Sequence, residues 1–486
     1  MQIRSAVFAA VVPLAAATAV AQTAPAGPQP DAATRNLALG IFRQLIEINT
    51  TDSVGSVTAA SQAMKQRFVD AGFPASDIYL GGPNDRKENL VVRYRGTGAH
   101  PPILFIGHLD VVEARRQDWT TDPFQFVEKN GYFYGRGTQD MKDCDAILVA
   151  TFLRLHQQGY KPDRDLILAL TADEEFGHSN GVDWLLRNHR DLINAAFAFN
   201  PDGGGVDLNN GKPVSADVDA TEKLYADYQL IVTNPGGHSS LPVPDNAIYH
   251  LAAALERLQS YTFPFELNAI TRSYFEKLST LEQGQIAADM KRMLATPPDP
   301  GAITRLSIER EWNATMRTTC VATRLLGGHA NNALPQMAQA NVNCRILPGH
   351  SREEIRQDLI HIIDNPKVTV NYVDDGGAIS PTAPTDKGLP PVALKPEVME
   401  PLQKLVDVYW PNTPVMADMA DGASDSKYTN AAGIPTYNWS AIELDPADMR
   451  AHGKDERLPE ESFWKAVQFW PQWIRILTGG GSQPQP

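Results

Sequence analysis

The chain has 486 residues, a formal net charge of −14 and a sequence pI near 5.3. Nucleic acid and anionic membrane surfaces would repel such a molecule, so neither is expected as its main partner. Hydrophobic content of 43% and charged content of 21% exclude a disordered or fibrous chain. The length calls for two domains, or one domain carrying an insertion.

A basic start, Met1-Gln2-Ile3-Arg4, leads into an apolar run that ends in Ala19-Val20-Ala21 before Gln22. This pattern predicts a cleavable signal peptide over 1–21 and a Pro/Gln/Ala-rich spacer over 22–34, and so a periplasmic or secreted protein. The run is too short for a membrane anchor, and no later stretch is long and apolar enough to span a bilayer. Cys144, Cys320 and Cys344 are too few, and odd in number, for a disulfide framework. Cys144 reads as a small buried hydrophobe, and one Cys320–Cys344 bridge is left open.

Residues 35–45 and 58–71 carry apolar side chains at helical spacing, and residues 88–95 read as a strand. Pro102-Ile103-Leu104-Phe105-Ile106-Gly107 is a continuous apolar run, the pattern of a strand covered on both faces, with His108-Leu109-Asp110 at its carboxyl end. Asp140 stands between a strand-and-turn, residues 131–137, and an apolar helix over 146–156. The strand over 165–171 ends in Asp173-Glu174-Glu175, and the strand over 195–199 ends in Asn200-Pro201-Asp202. With a further helix over 181–189, this alternation predicts an α/β fold with a mostly parallel, doubly wound sheet.

From residue 224 the texture changes. An alternating strand over 225–233 precedes Gly236-Gly237-His238-Ser239-Ser240 and a helix over 246–259. A polar helical piece over 267–293 follows, then strands over 318–326 and 338–347, a helix over 352–364 and a strand over 367–373. This order predicts a small α+β domain over 224–375, inserted between the two parts of the first domain, 35–223 and 376–478. A helix over 396–409 and the loops holding Gly422-Ala423-Ser424-Asp425 and Ala451-His452-Gly453 come late, and the tail 479–486 is expected to be disordered.

Taken singly, each polar residue has a plain structural explanation: a satisfied core histidine, a turn-forming aspartate, a solvated glutamate pair, a helix cap. Jointly these explanations fail, because carboxylates gathered over one sheet edge repel unless cations hold them. Nitrogen and carboxylate donors without thiolate suit zinc, and also cobalt or manganese. Adjacent Glu174 and Glu175 can divide the work, one binding metal while the other takes a proton from water. Asp110 is placed to hold the His108 imidazole from behind.

In this order, His108-Leu109-Asp110, Gly135-Arg136-Gly137-Thr138-Gln139-Asp140-Met141-Lys142, Glu174-Glu175, Asp202-Gly203 and His452-Gly453 resemble the motifs of the M20 metallopeptidases. Within that family the chain looks closest to the carboxypeptidase S and N-acyl-amino-acid hydrolase branch. The resemblance implies that Asp140 bridges two zinc ions, with His108 and Asp202 completing one site and Glu175 and His452 the other. It implies Glu174 as general base, Asp110 as the orienter of His108, and a cis peptide after Asp140. The inserted domain resembles the family's lid, which also forms homodimers. There His238 matches a histidine that reaches a catalytic centre, often the partner subunit's, and stabilises the oxyanion. Asn332 and Arg345 match residues that grip the substrate's carboxylate, for which a planar guanidinium is suited. Gly422 and Ser424 lie in a loop like the family's late substrate loop. Asp143 departs from the family's usual glycine and is expected to cap the following helix.

The implied activity is hydrolysis of an amide bond next to a free α-carboxylate, in short peptides or N-acyl amino acids. The enzyme would act as carboxypeptidase, dipeptidase or N-acyl-amino-acid hydrolase. An aminopeptidase of the same family and a non-catalytic metal binder are the alternatives.

Overall fold

The apolar run that ends at His108 forms the strand His100–His108, which lies inside a ten-stranded sheet. The computed structural model describes residues 30–479. The predicted signal peptide, the spacer up to residue 29 and the tail from residue 480 lie outside the described residues. Strands Arg164–Thr171 and Phe197–Asn200 flank His100–His108, both parallel to it. On one side Asn89–Tyr94 and Ile78–Gly81 continue the sheet antiparallel. On the other, Thr436–Asn438 runs parallel to Phe197–Asn200 and leads to Lys212–Glu222, Gly205–Asn209 and Glu443–Leu444. Val415–Ala420 pairs in parallel with Lys212–Glu222.

Both faces of this sheet are covered, as continuous apolar strands require. Helices Ala32–Glu47, Val57–Asp70, Lys142–Gln157, Pro396–Tyr409 and Glu460–Leu477 bury one face around Phe105, Phe199, Trp470 and Trp473. Helices Gly181–Asn188 and Ser426–Ala431 cover the other through Val182, Leu185 and Tyr428. No helix among the described residues is long and apolar enough to cross a membrane.

A second, antiparallel sheet runs in the order Thr319–Gly327, Met337–Ile346, Leu224–Thr233, Thr369–Val373, Ile379–Ser380. Met337–Ile346 alternates buried and half-exposed residues, and helices Ala247–Ser260 and Arg352–Ile363 close the buried face. Cys320 and Cys344 stand opposite each other on adjacent strands and are joined by a disulfide. The pairing left open by the sequence is therefore made, and Cys144 is the buried free thiol.

The structure departs from the sequence reading at two places in this domain. Gly376-Gly377 reads as the return to the main sheet, but it closes a hairpin. Asp374 donates its N–H to the Ala378 carbonyl, Gly377 takes φ +78°, and Ile379–Ser380 pairs back onto Thr369–Val373. The chain rejoins the main sheet at Val392, whose N–H donates to the Ala220 carbonyl at 2.7 Å. The helical piece, read as part of the small domain, forms the helices from Ala269–Leu281 to Arg310–Thr315. Its Tyr274, Phe275, Leu278 and Met290 pack against Met416 of the main sheet.

Candidate active site

In the parallel register His108 faces Thr171, so the residues that follow these strands leave from one sheet edge. Crevices at the carboxyl ends of parallel strands are where open α/β sheets bind their ligands. Asp110, Asp173-Glu174-Glu175 and Asp202 all emerge there. Asp140 arrives by a separate route. Strand Tyr132–Tyr134 pairs with Arg457–Pro459, which lays the loop carrying Asp140 beside the loop carrying His452. The Asp140–Met141 peptide is cis, and the helix Lys142–Gln157 starts immediately after it.

Asp140 stands between the two histidines. Its Oδ1 lies 3.1 Å from His108 Nε2, and its Oδ2 lies 2.9 Å from His452 Nε2. His108 Nε2 is also 3.7 Å from Asp202 Oδ1, and His452 Nε2 is 3.0 Å from Glu175 Oε2. One ligand atom each of His108, Glu174 and Asp202 falls within 4.8 Å of the others, and the same holds for His108, Asp140 and Glu175. His108, Asp140, Glu174, Glu175, Asp202 and His452 are thus brought together. His238, Asn332 and Arg345 have no described hydrogen bond or ion pair to this group.

The electrostatics are dominated by burial and by the mutual charges of these groups. Burial opposes ionisation of Asp140, but hydrogen bonds from His108 and His452 outweigh it and hold the carboxyl well below its usual range. Burial, then the charge of Asp202, pushes Glu174 well up; burial, then the charge of Asp140, pushes Glu175 up to about 7. Burial alone would lower His452, yet its hydrogen bonds to Asp140 and Glu175 push it up to about 11. Protons held in this way are released when a divalent cation takes the same donors. Two imidazoles, three or four carboxylates and no thiolate form a donor set that fits zinc, cobalt or manganese, and Asp140 offers one oxygen to each half.

Asp110 acts differently from the expectation. Its backbone carbonyl, 3.1 Å from His108 Nδ1, is the nearer partner of the imidazole, and its carboxylate is 3.8 Å away. The carboxylate oxygens instead accept the N–H groups of Glu174 and Glu175 at 3.1 and 3.0 Å. Asp143 does not cap the helix. The helix begins one residue before it, so Asp143 falls in the first turn, where it is buried with Oδ1 lacking a hydrogen-bond partner. Lys142 turns away from the centre and donates to the carbonyls of Leu45 and Ile48, both at 2.9 Å, at the end of the first helix.

The remaining candidates sit as follows. Ser424 is buried and its hydroxyl donates to Glu222 at 3.1 Å, which anchors its loop, whereas Gly422 is exposed. Asp425, in the same loop, accepts from Asn180 Nδ2 and Thr171 Oγ1 at 2.6 and 3.1 Å. His238 is exposed and pairs through its backbone with Ala333, next to Asn332. The Arg345 guanidinium lies 4.8 Å from the centroid of the Tyr225 ring.

Two supports escape a reading of the sequence. Arg136 and Glu456 form a buried ion pair behind Asp140, and Lys87 is paired with Asp173 behind Glu174. Arg136 lies inside the Gly-Arg-Gly motif and Asp173 directly precedes Glu174, which is the signal each offered.

The Peptidase family M20/M25/M40 profile matches residues 104–475. The N-fatty-acyl-amino acid synthase/hydrolase PM20D1 of Xenopus tropicalis is 29% identical over 381 residues, 77% of this chain and 72% of its own. A probable carboxypeptidase S-like protein of Dictyostelium discoideum is 28% identical over 431 residues, 84% of this chain and 78% of its own. In fold, the chain is similar to an M20 family metallo-carboxypeptidase from Sulfolobus solfataricus, with a TM-score of 0.67 at 15% identity, covering 91% of this chain and 99% of that one. The match over most of the chain and the histidine–carboxylate centre agree: this chain is a hydrolase of the peptidase family M20/M25/M40.

Proposed function

We propose that the chain is an exported di-zinc hydrolase that cleaves an amide bond next to a free α-carboxylate. Its substrates are short peptides or N-acyl amino acids. The observation that carries this reading is Asp140, with one carboxylate oxygen toward His108 and the other toward His452. His108, Asp140 and Asp202 would hold one zinc ion, and Asp140, Glu175 and His452 the other. When bound, such a pair polarises the scissile carbonyl and makes water acidic near neutral pH.

Glu174, fixed by its backbone N–H on Asp110, takes the proton of the attacking water and returns it to the leaving nitrogen. Arg345, its plane set by Tyr225, grips the substrate's carboxylate with two parallel donors, assisted by Asn332. His238 projects from the lid and serves the oxyanion of a partner subunit's centre.

A homodimer through the lid is supported by its edge strand. Among the described residues Thr319–Gly327 pairs on one side only, and Val321, Leu325 and Leu326 are 60%, 66% and 56% exposed. Export is supported by the signal-like N-terminus and by the Cys320–Cys344 bridge, which suits an oxidising compartment.

The test is hydrolysis of a panel of dipeptides and N-acyl amino acids beside their C-terminal amides, by zinc-loaded protein lacking residues 1–21. Cleavage of the free acids alone supports the carboxylate-directed reading. Equal cleavage of the amides moves the assignment to an aminopeptidase-like enzyme.

A further inference from the structure

We propose that Lys87 is a positioning residue for Glu174, acting through Asp173. The inference rests on Glu174 being the general base. Lys87 lies in the connection between strands Ile78–Gly81 and Asn89–Tyr94, outside every motif that carries the ligands. It is nevertheless only 6% exposed. Its ammonium pairs with Asp173, and with Asp52 Oδ1 at 2.9 Å. Burial works against the charge on Lys87, and hydrogen bonds to these two acids outweigh it.

Asp173 is the residue that aims the chain at Glu174. It has φ +65°, in the left-handed region that Asp tolerates better than most residues, and it is 1% exposed. One of its carboxylate oxygens meets Lys87, and the other accepts the N–H of Ser179. Its carbonyl accepts the N–H of Gly177 at 3.0 Å. The turn over 173–179 is therefore folded around the Asp173 side chain. From the opposite side Asp110 takes the N–H groups of Glu174 and Glu175.

Glu174 thus sits on a short segment pinned at two points, one of them Asp110 and the other the Asp173–Lys87–Asp52 chain. Among the described residues, the ion pairs of Lys87 are with Asp52 and Asp173. Lys87 consequently reaches Glu174 through the backbone of the turn, in which Glu174 directly follows Asp173. Catalytic geometry is sensitive to such supports, since displacement of a reacting group by about 1 Å costs on the order of a hundredfold in rate.

The experiment measures kcat, KM and bound zinc for wild type, Lys87→Met, Lys87→Arg and the charge-neutral pair Lys87→Met/Asp173→Asn, on a free-acid substrate the wild type cleaves. Lys87→Met is expected to lower kcat about 10–100-fold, the usual loss for an outer support, while KM and zinc content hold. Lys87→Arg, which keeps the charge, is expected to restore most of the rate. The charge-neutral pair leaves no unpaired buried charge, so it should fold like wild type and yet keep the low kcat. Adding Lys87→Met to Glu174→Ala should cost nothing further, because both changes disable the same group.

A wild-type kcat in Lys87→Met or in the charge-neutral pair would overturn the inference. So would a loss that appears only in KM or in zinc content, or an undiminished effect of Lys87→Met in the Glu174→Ala background. Those outcomes leave the proposed activity standing. A wild-type protein that cleaves no member of the panel overturns that activity, and this inference with it.

Discussion

Arg136 and Glu456 form a buried ion pair that closes the loop carrying Asp140 onto the loop carrying His452. Glu456 Oε1 accepts the N–H groups of Gly137 and Gln139 at 3.1 and 2.7 Å. Arg136 donates onward to the carbonyls of His452 and Gly453 at 3.3 and 3.0 Å. Arg136 and His452 are 316 residues apart in sequence, yet the two sides of the metal centre share this one support.

Glu456→Gln keeps the shape of the pair but leaves the Arg136 charge buried without its counter-ion. Breaking one partner of a buried pair costs about 3–5 kcal/mol, so the melting temperature should drop measurably. Zinc affinity at the His452 side should fall about 10–100-fold, as it does when outer supports of metal ligands are lost. Calorimetric zinc titration beside thermal melts checks both, and an unchanged affinity would mean that the pair serves stability only.

Asp140→Asn removes the carboxylate that, among the described residues, pairs with both histidines. The variant should bind one zinc ion or none in place of about two, and kcat should fall on the order of a thousandfold, the loss of several kcal/mol of electrostatic stabilisation. Chelation of wild type should abolish activity, and added zinc should restore it. It should also lower the melting temperature, because a ligand present at about 1,000 times its Kd stabilises the native state by about 4 kcal/mol. Metal analysis of the purified variant decides whether Asp140 bridges.

The smaller, antiparallel domain carries its own pH dependence. Glu353 accepts Arg356 Nε and an end nitrogen at 2.8 and 2.7 Å, and the Ala383 N–H at 2.7 Å. The Arg356 hydrogen bonds are the main cause holding its carboxyl down at about 2, from an ordinary value of 4.5. A depressed acid contributes stability that is full above its unfolded pKa and lost as pH falls through its folded pKa. Wild type should therefore lose this contribution between about pH 4.5 and pH 2. Glu353→Gln should be less stable at pH 7 and converge with wild type at pH 2, as followed by chemical denaturation across that range.

The strand ends were legible in the sequence, and the supports behind them were not. Continuous apolar runs before His108, Asp173 and Asp202 could only be strands buried on both faces, so their polar ends had to gather at one edge. Periodicity carries no such information about pairs like Arg136 with Glu456, 320 residues apart, or Lys87 with Asp173, 86 apart. Asp143 misled because a polar residue before an apolar run looks like a cap, whereas the helix starts at Lys142 and the acid falls inside its first turn. Gly376-Gly377 misled because a glycine pair serves a linker and a hairpin equally well. The helical piece over 267–293 reads as polar in sequence, and the partner of its buried residues Tyr274, Phe275, Leu278 and Met290, Met416, lies more than a hundred residues downstream.

The exposed edge strand of the smaller sheet offers a test of the proposed dimer. Val321→Glu with Leu325→Glu places two charges on the exposed strand Thr319–Gly327, which should convert a dimer to monomer in sedimentation or light scattering without unfolding the lid. If His238 serves the partner subunit's centre, kcat should fall with dissociation. A protein that is monomeric from the start would remove that role from His238.

The central claim is that Glu174 moves the proton at a centre built on Asp140, and Glu174→Ala tests it most directly when rate and metal are measured on the same sample. The account predicts about two zinc ions per chain, as in wild type, with cleavage of free-carboxylate substrates reduced by at least about 10²–10⁴-fold, the usual contribution of a general base. A fully loaded Glu174→Ala protein that hydrolyses them at the wild-type rate would contradict it.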